Sequence, residues 1–128
     1  MEAYIYDAVR TVRGKGNNKG ALLGITPTEL VKQTMVHLKD KHNIIGDIRG
    51  CGLFIGIELI KNYENMLPAA HEAELVVNQM KQKGVLISLD GPDYNVLKIK
   101  PPLVFNKNNA DYLLESLEAV MVDNNFRV

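Results

Sequence analysis

Apolar residues recur in two different periods along this chain. Leu53, Ile55, Ile57 and Leu59 alternate with Phe54, Gly56, Glu58 and Ile60, so residues 53–60 read as a strand. Val85 to Leu89 and Val96 to Lys100 read as two further short strands. The first of these ends at the turn Asp90-Gly91-Pro92. The second ends at Pro101-Pro102, because proline cannot donate to a ladder. Ahead of Val85 and again after Asn106 the period changes. Ala69, Ala73, Val76, Val77 and Met80 share one face of a helix from about Pro68 to Lys83, with Lys81 and Lys83 in its last turn and Gly84 as its stop. Ala110, Leu113, Leu114, Leu117, Val120 and Met121 mark a last helix that starts after Asn106.

The first third is patterned less tightly. Residues 2–8 are rich in strand formers, and residues 13–20 hold enough glycine, lysine and asparagine to read as a loop. Thr26 and Glu29 make a capping box with Pro27 at the first helical position. Leu30, Val31, Met35 and Leu38 continue that helix to about His42. Residues 44–52, with Gly46, Gly50 and Gly52, read as a short connection.

From residue 44 onward the order is therefore β-α-β-β-α, preceded by a β-loop-α segment. Each helix has a single apolar face and must cover a sheet. The expected fold is α+β, a two-layer α/β arrangement in which a small antiparallel or mixed sheet carries its helices on one face. A chain of 128 residues can bury a core of that size.

Charge narrows the partners. Fifteen basic residues balance fifteen acidic ones, and no run of like charge occurs. That pattern favours neither nucleic acid nor an anionic membrane surface. No apolar run approaches the ~20 residues of a membrane span. The single cysteine, Cys51, excludes an internal disulfide and, with no signal peptide in view, points to a cytoplasmic protein. His37, His42 and His71 form no metal-binding pair.

Four stretches carry a family resemblance. They are Ile45-Gly46-Asp47-Ile48-Arg49-Gly50-Cys51-Gly52-Leu53-Phe54-Ile55-Gly56-Ile57-Glu58-Leu59, Lys83-Gly84-Val85-Leu86-Ile87, Asp90-Gly91-Pro92, and Asn95 to Phe105 with its double proline. In order and spacing they resemble the small C-terminal domain of class III pyridoxal-phosphate aminotransferases, over about residues 44–122. The branch most similar holds alanine–glyoxylate aminotransferases and ethanolamine-phosphate phospho-lyases. Residues 1–43, opening MEAYIYDAVRTVRGKG, instead resemble the start of a thiolase (acetyl-CoA acyltransferase), with Val12 where that family usually has proline. Two segments are thus expected, 1–43 and 44–128, with the joint between about 33 and 46.

The first resemblance implies pyridoxal phosphate as cofactor of the parent family. It also implies a large domain that supplies the Schiff-base lysine, the acid against the pyridine nitrogen and the phosphate cradle. None of the eleven lysines here stands in that context, so no catalytic or cofactor-binding residue is expected and the chain alone is expected to be inactive. Two residues are candidates for the substrate side. Lys98 stands three before the double proline, where the wider family often has an arginine that grips a carboxylate; a lysine cannot make that planar, bidentate clamp. Arg49 sits in Arg-Gly-Cys-Gly and could reach a phosphate or carboxylate. Both also read as ordinary residues, Lys98 on a solvated strand face and Arg49 in a loop tying the domain to a neighbour. Thiolase chemistry needs a nucleophilic cysteine, a histidine and a second cysteine, and Cys51 lies in the other motif. A further expectation is self-association through the face that the large domain would otherwise cover.

Overall fold

The computed structural model of the chain describes residues 38–126. The strand expected at 2–8, the loop at 13–20 and most of the first helix lie outside the described residues. Within them lie five strands and two long helices: β1 Ile45–Cys51, β2 Phe54–Asn62, β3 Leu67–Pro68, α1 Ala70–Gln82, β4 Ser88–Asp90, β5 Val96–Ile99 and α2 Lys107–Asn124. The sheet order is β1-β2-β5-β4, with β3 paired to β2, and every pairing is antiparallel. The fold is α+β.

The helices lie on one side because the apolar residues do. On the helix side, Ile48, Ile57, Leu97 and Leu89 stand opposite one another across all four main strands. Ile57 and Leu97 are fully buried, as are Ala73, Val76 and Met80 from α1 and Leu117 and Val120 from α2. Leu38 is also fully buried in this cluster. The chain just ahead of β1 therefore belongs to the same core. Lys41 Nζ lies 2.7 Å from Glu118 of α2, and the Ile60 amide donates to the Ile44 carbonyl.

Three boundaries differ from the sequence reading. Residues 44–52 are not a connection: Ile45–Cys51 form β1, a full strand against β2. Their glycines suggest a turn, yet Ile45 and Ile48 face the core and the chain turns only after Cys51. The strand expected at Val85–Leu89 forms its ladder only at Ser88–Asp90, because the Val85 amide still donates to Met80 at the end of α1. Helix α1 starts at Ala70, two residues past Pro68, which pairs with Ile60 in β3 instead. The start of α2 agrees with its sequence. The Asn106 side chain accepts from the Asn109 amide at 3.0 Å and the Asn109 side chain accepts from the Asn106 amide at 3.2 Å. That reciprocal cap satisfies donors a helix start otherwise leaves orphaned.

Asn95 closes the junction between β2 and β5. It is buried, its side-chain amide donates to the Leu59 carbonyl at 2.8 Å, and its own carbonyl accepts from the Leu59 amide. The sheet is thereby fixed at the end from which the next features project.

Candidate functional site

The side of the sheet away from the helices is open, and its side chains fall into rows. Strand alternation puts residues 54, 56 and 58 of β2 on this side, since 55, 57 and 59 are buried on the other. Arg49, Gly56, Lys98 and Ser88 stand opposite one another across β1, β2, β5 and β4. The next row is Asp47, Glu58, Val96 and Asp90. A cationic row thus runs beside an acidic one. Cys51 and Phe54 begin a third, with the Lys100 ammonium 4.6 Å from the centre of the Phe54 ring.

Both sequence candidates meet here. Arg49 and Lys98 line one groove of about 470 Å³ together with Cys51, Phe54, Gly56, Asp90, Gly91 and Val96. Arg49 is on a strand rather than in the loop its glycines suggest, and Gly56 separates it from Lys98. Two strand spacings put their Cα atoms about 10 Å apart. A side chain at position 56 would fill the gap, since a Cβ there would come 3.2 Å from Val96. The acidic row carries no signal in the sequence that marks it as part of this face. Asp90 reads as a turn residue and Glu58 as one polar position in an alternating strand; only the β1–β2 register aligns Asp47 beside them.

Every cation of the central row already has an acidic partner. Arg49 Nη1 donates to Glu58 at 2.5 Å and to Asp47 at 2.9 Å. Hydrogen bonding to Glu58, then to Asp47, raises the Arg49 pKa further above its already high value. Lys98 Nζ lies 2.8 Å from Asp90 Oδ2. The Lys98 ammonium first, and then the Gly91 amide, lower the Asp90 pKa below the ordinary carboxylate range.

The sign of that shift gives an expected result. A carboxyl with a depressed folded pKa contributes stability above its unfolded pKa and loses it as pH falls through the folded one. In Lys98→Met, the Asp90 carboxyl is expected to titrate at higher pH than in the native chain, read by carbon NMR of the side-chain carboxyls. The stability difference between the two proteins should be largest at neutral pH, vanish in acid and shrink with salt, because the pair is exposed. An unmoved Asp90 titration would contradict the ion pair.

Pyridoxal-phosphate chemistry needs an amine free to condense with the cofactor, an acid at the pyridine nitrogen and donors around the phosphate. On this face Lys98 is held by Asp90 and Arg49 by two carboxylates, while Lys100 lies over an aromatic ring. These residues by themselves do not fit a cofactor site. Among the described residues no cluster of metal-ligating side chains occurs, and no helix is long and apolar enough to cross a membrane.

The Aminotransferase class-III family model matches residues 26–121. The chain belongs to the class III aminotransferases. The match begins ahead of residue 44, so the stripe from Leu30 to Leu38 falls within it. An alanine–glyoxylate aminotransferase 2-like protein of Drosophila melanogaster is 51% identical over 66% of this chain and 18% of its own length. A mitochondrial alanine–glyoxylate aminotransferase 2 homolog of Arabidopsis thaliana is 44% identical over 71% of this chain and 19% of its own. A phospholyase from Arthrobacter, solved in complex with phosphoethanolamine, superposes with a TM-score of 0.69 at 35% identity, covering 80% of this chain and 24% of that one. The class III aminotransferase chain described here spans about a fifth of the length of the curated relatives it matches.

Proposed function

We propose that this chain is the small domain of a pyridoxal-phosphate-dependent class III aminotransferase or phospho-lyase, and that its open sheet face forms the substrate side of the cleft. The observation that carries the reading is the placement of Arg49 and Lys98 on one face across Gly56. Two cations at that separation suit an anionic substrate group that displaces Asp47, Glu58 and Asp90 from them, and the lysine in place of a clamping arginine suits a phosphate better than a carboxylate. The phospho-lyase branch is therefore the favoured one. The Arthrobacter phospholyase, at 35% identity, is named for that branch, and the alanine–glyoxylate aminotransferase 2 relatives, at 51% and 44%, are named for the other.

On this reading the 128 residues alone carry out no turnover, because neither a Schiff-base lysine nor a cofactor cradle is formed by the groove. Adding pyridoxal phosphate to the purified chain is expected to produce no Schiff-base absorbance band at about 400–430 nm. Borohydride should fix no cofactor onto a lysine, as read by peptide mass. A labelled lysine with saturable loading would overturn the assignment of inactivity.

The thiolase resemblance of residues 1–43 overlaps the family match over residues 26–43. Residues 1–37 lie outside the described residues, and the family match starts at residue 26. Leu38, buried in the core, lies within the family match, and the joint proposed between about 33 and 46 stays a reading of the sequence alone. The cytoplasmic expectation rests on the single thiol, Cys51, which suits any reducing compartment, including that of the relative named as mitochondrial.

A further inference from the structure

We propose that Asp90 is a built-in competitor for Lys98, a latch that an anionic substrate group has to displace, and that it sets the anion affinity of the groove. This takes the open face as the substrate side of the cleft, as proposed above. Three acids hold the two cations, but they do not hold them alike. Arg49 Nη1 is bonded to both Glu58 and Asp47, so losing either one leaves it paired. Among the described residues Asp90 is the one acid on Lys98, at 2.8 Å. Removing the Asp90 charge therefore frees Lys98 outright.

The turn after β4 makes Asp90 an effective competitor. Its Oδ1 accepts from the Gly91 amide at 2.9 Å while its Oδ2 accepts from the Lys98 ammonium at 2.8 Å. Gly91 holds the turn at φ of +83°, the left-handed region that glycine adopts freely. A carboxylate fixed in this way by its own backbone is already oriented when it meets the lysine, so the pair costs little side-chain freedom. Asp90 stands diagonally across the ladder from Lys98, within reach of a long side chain. The pair is nevertheless open to solutes, with 52% of the Asp90 side chain and 27% of the Lys98 side chain exposed.

Lysine is the cation suited to exchange. Its ammonium carries three donors on a flexible stem and can pass from one acceptor to another. An incoming carboxylate replaces Asp90 with its own kind and gains little. A phosphate monoester, with a charge of about −1.5 to −2 at neutral pH, brings more charge than it displaces. Both anions meet the same latch. Asp90 therefore lowers both affinities by one factor and leaves the choice between them to Lys98.

In the full chain at neutral pH, methyl phosphate is expected to bind in the groove, read by NMR of the Lys98 and Arg49 side chains. Asp90→Asn should tighten that binding about two- to five-fold, the size of one exposed charge pair. Acetate, the weaker ligand, should gain by the same factor. Asparagine keeps an oxygen for the Gly91 amide, and circular dichroism checks the fold. Glu58→Gln should tighten binding less, because Asp47 stays on Arg49. The gain from Asp90→Asn should vanish in a Lys98→Met background. A gain that persists there is plain relief of repulsion and overturns the latch. So does a Glu58→Gln chain that gains as much, or an Asp90→Asn chain that gains nothing while the native chain binds methyl phosphate. Methyl phosphate that binds neither the native chain nor any variant refutes the reading of the face as an anion site, and the latch with it. If Asp90→Asn fails to fold, the native chain decides. Its Asp90 carboxyl carbon signal should move as methyl phosphate is added and saturate together with the Lys98 signal; an unmoved Asp90 signal overturns the proposal.

Discussion

Ile57→Ala is expected to destabilise the fold by about 2–5 kcal/mol, the usual cost of truncating a fully buried isoleucine to alanine. Ile57 is fully buried at the middle of β2, the strand that pairs with β1, β3 and β5. Ile48 and Leu97 flank it on the neighbouring strands, and Leu89 ends the same row. A hole there cannot close by a surface side chain swinging in, since each neighbour is fixed by its own ladder. Small domains hold only about 5–15 kcal/mol in total. The loss is a large share of that and lowers the melting temperature by on the order of 10 °C. Ile57→Val should cost only about 0.5–1.5 kcal/mol, since it removes one methylene. Urea denaturation of the three proteins checks both numbers. Equal losses for the two variants would show that Ile57 is not packed as described.

How much of this was legible in the sequence depends on which signal each element carried. Strand β2 and both helices announce themselves by unbroken periods, and α2 by its Asn106 cap. Strand β1 does not. Its seven residues hold two glycines, and a bulge between Ile45 and Asp47 breaks the alternation that marks a strand. The candidate residues can be named from the sequence; their placement on one face cannot. Lys98 and Arg49 both emerge as candidates, but the register that aligns them across Gly56 depends on β1 being a strand. The acidic row stayed hidden for the same reason. Nothing local in the sequence ties Asp90 to Lys98 or Glu58 to Arg49; two antiparallel pairings do.

That register also identifies the second large effect, at Gly50. Gly50→Ala is expected to destabilise the chain by about 2–3 kcal/mol, at the upper end of what overpacking usually costs. The added Cβ would stand 2.5 Å from the Phe54 carbonyl oxygen and 3.2 Å from the Ile55 Cα. Both are backbone atoms of the paired strand, so no rotamer change relieves the contact; β1 itself must move off β2. The neighbouring glycine tests the reasoning, because its demand is of another kind. Gly52 has φ of +58° and nothing within 4 Å of a built Cβ. Its constraint is conformational, and asparagine tolerates that region better than other side chains. Gly52→Asn should therefore cost well under the Gly50 figure, although it is the larger substitution. The same displacement should show at a distance: in Gly50→Ala the Arg49 guanidinium, one residue away, loses its placement against Glu58, and amide exchange along β1 quickens while α2 stays protected. If Gly50→Ala matched the native chain in stability and exchange, the close pairing of β1 with β2 would be wrong, and with it the alignment of Arg49 opposite Lys98.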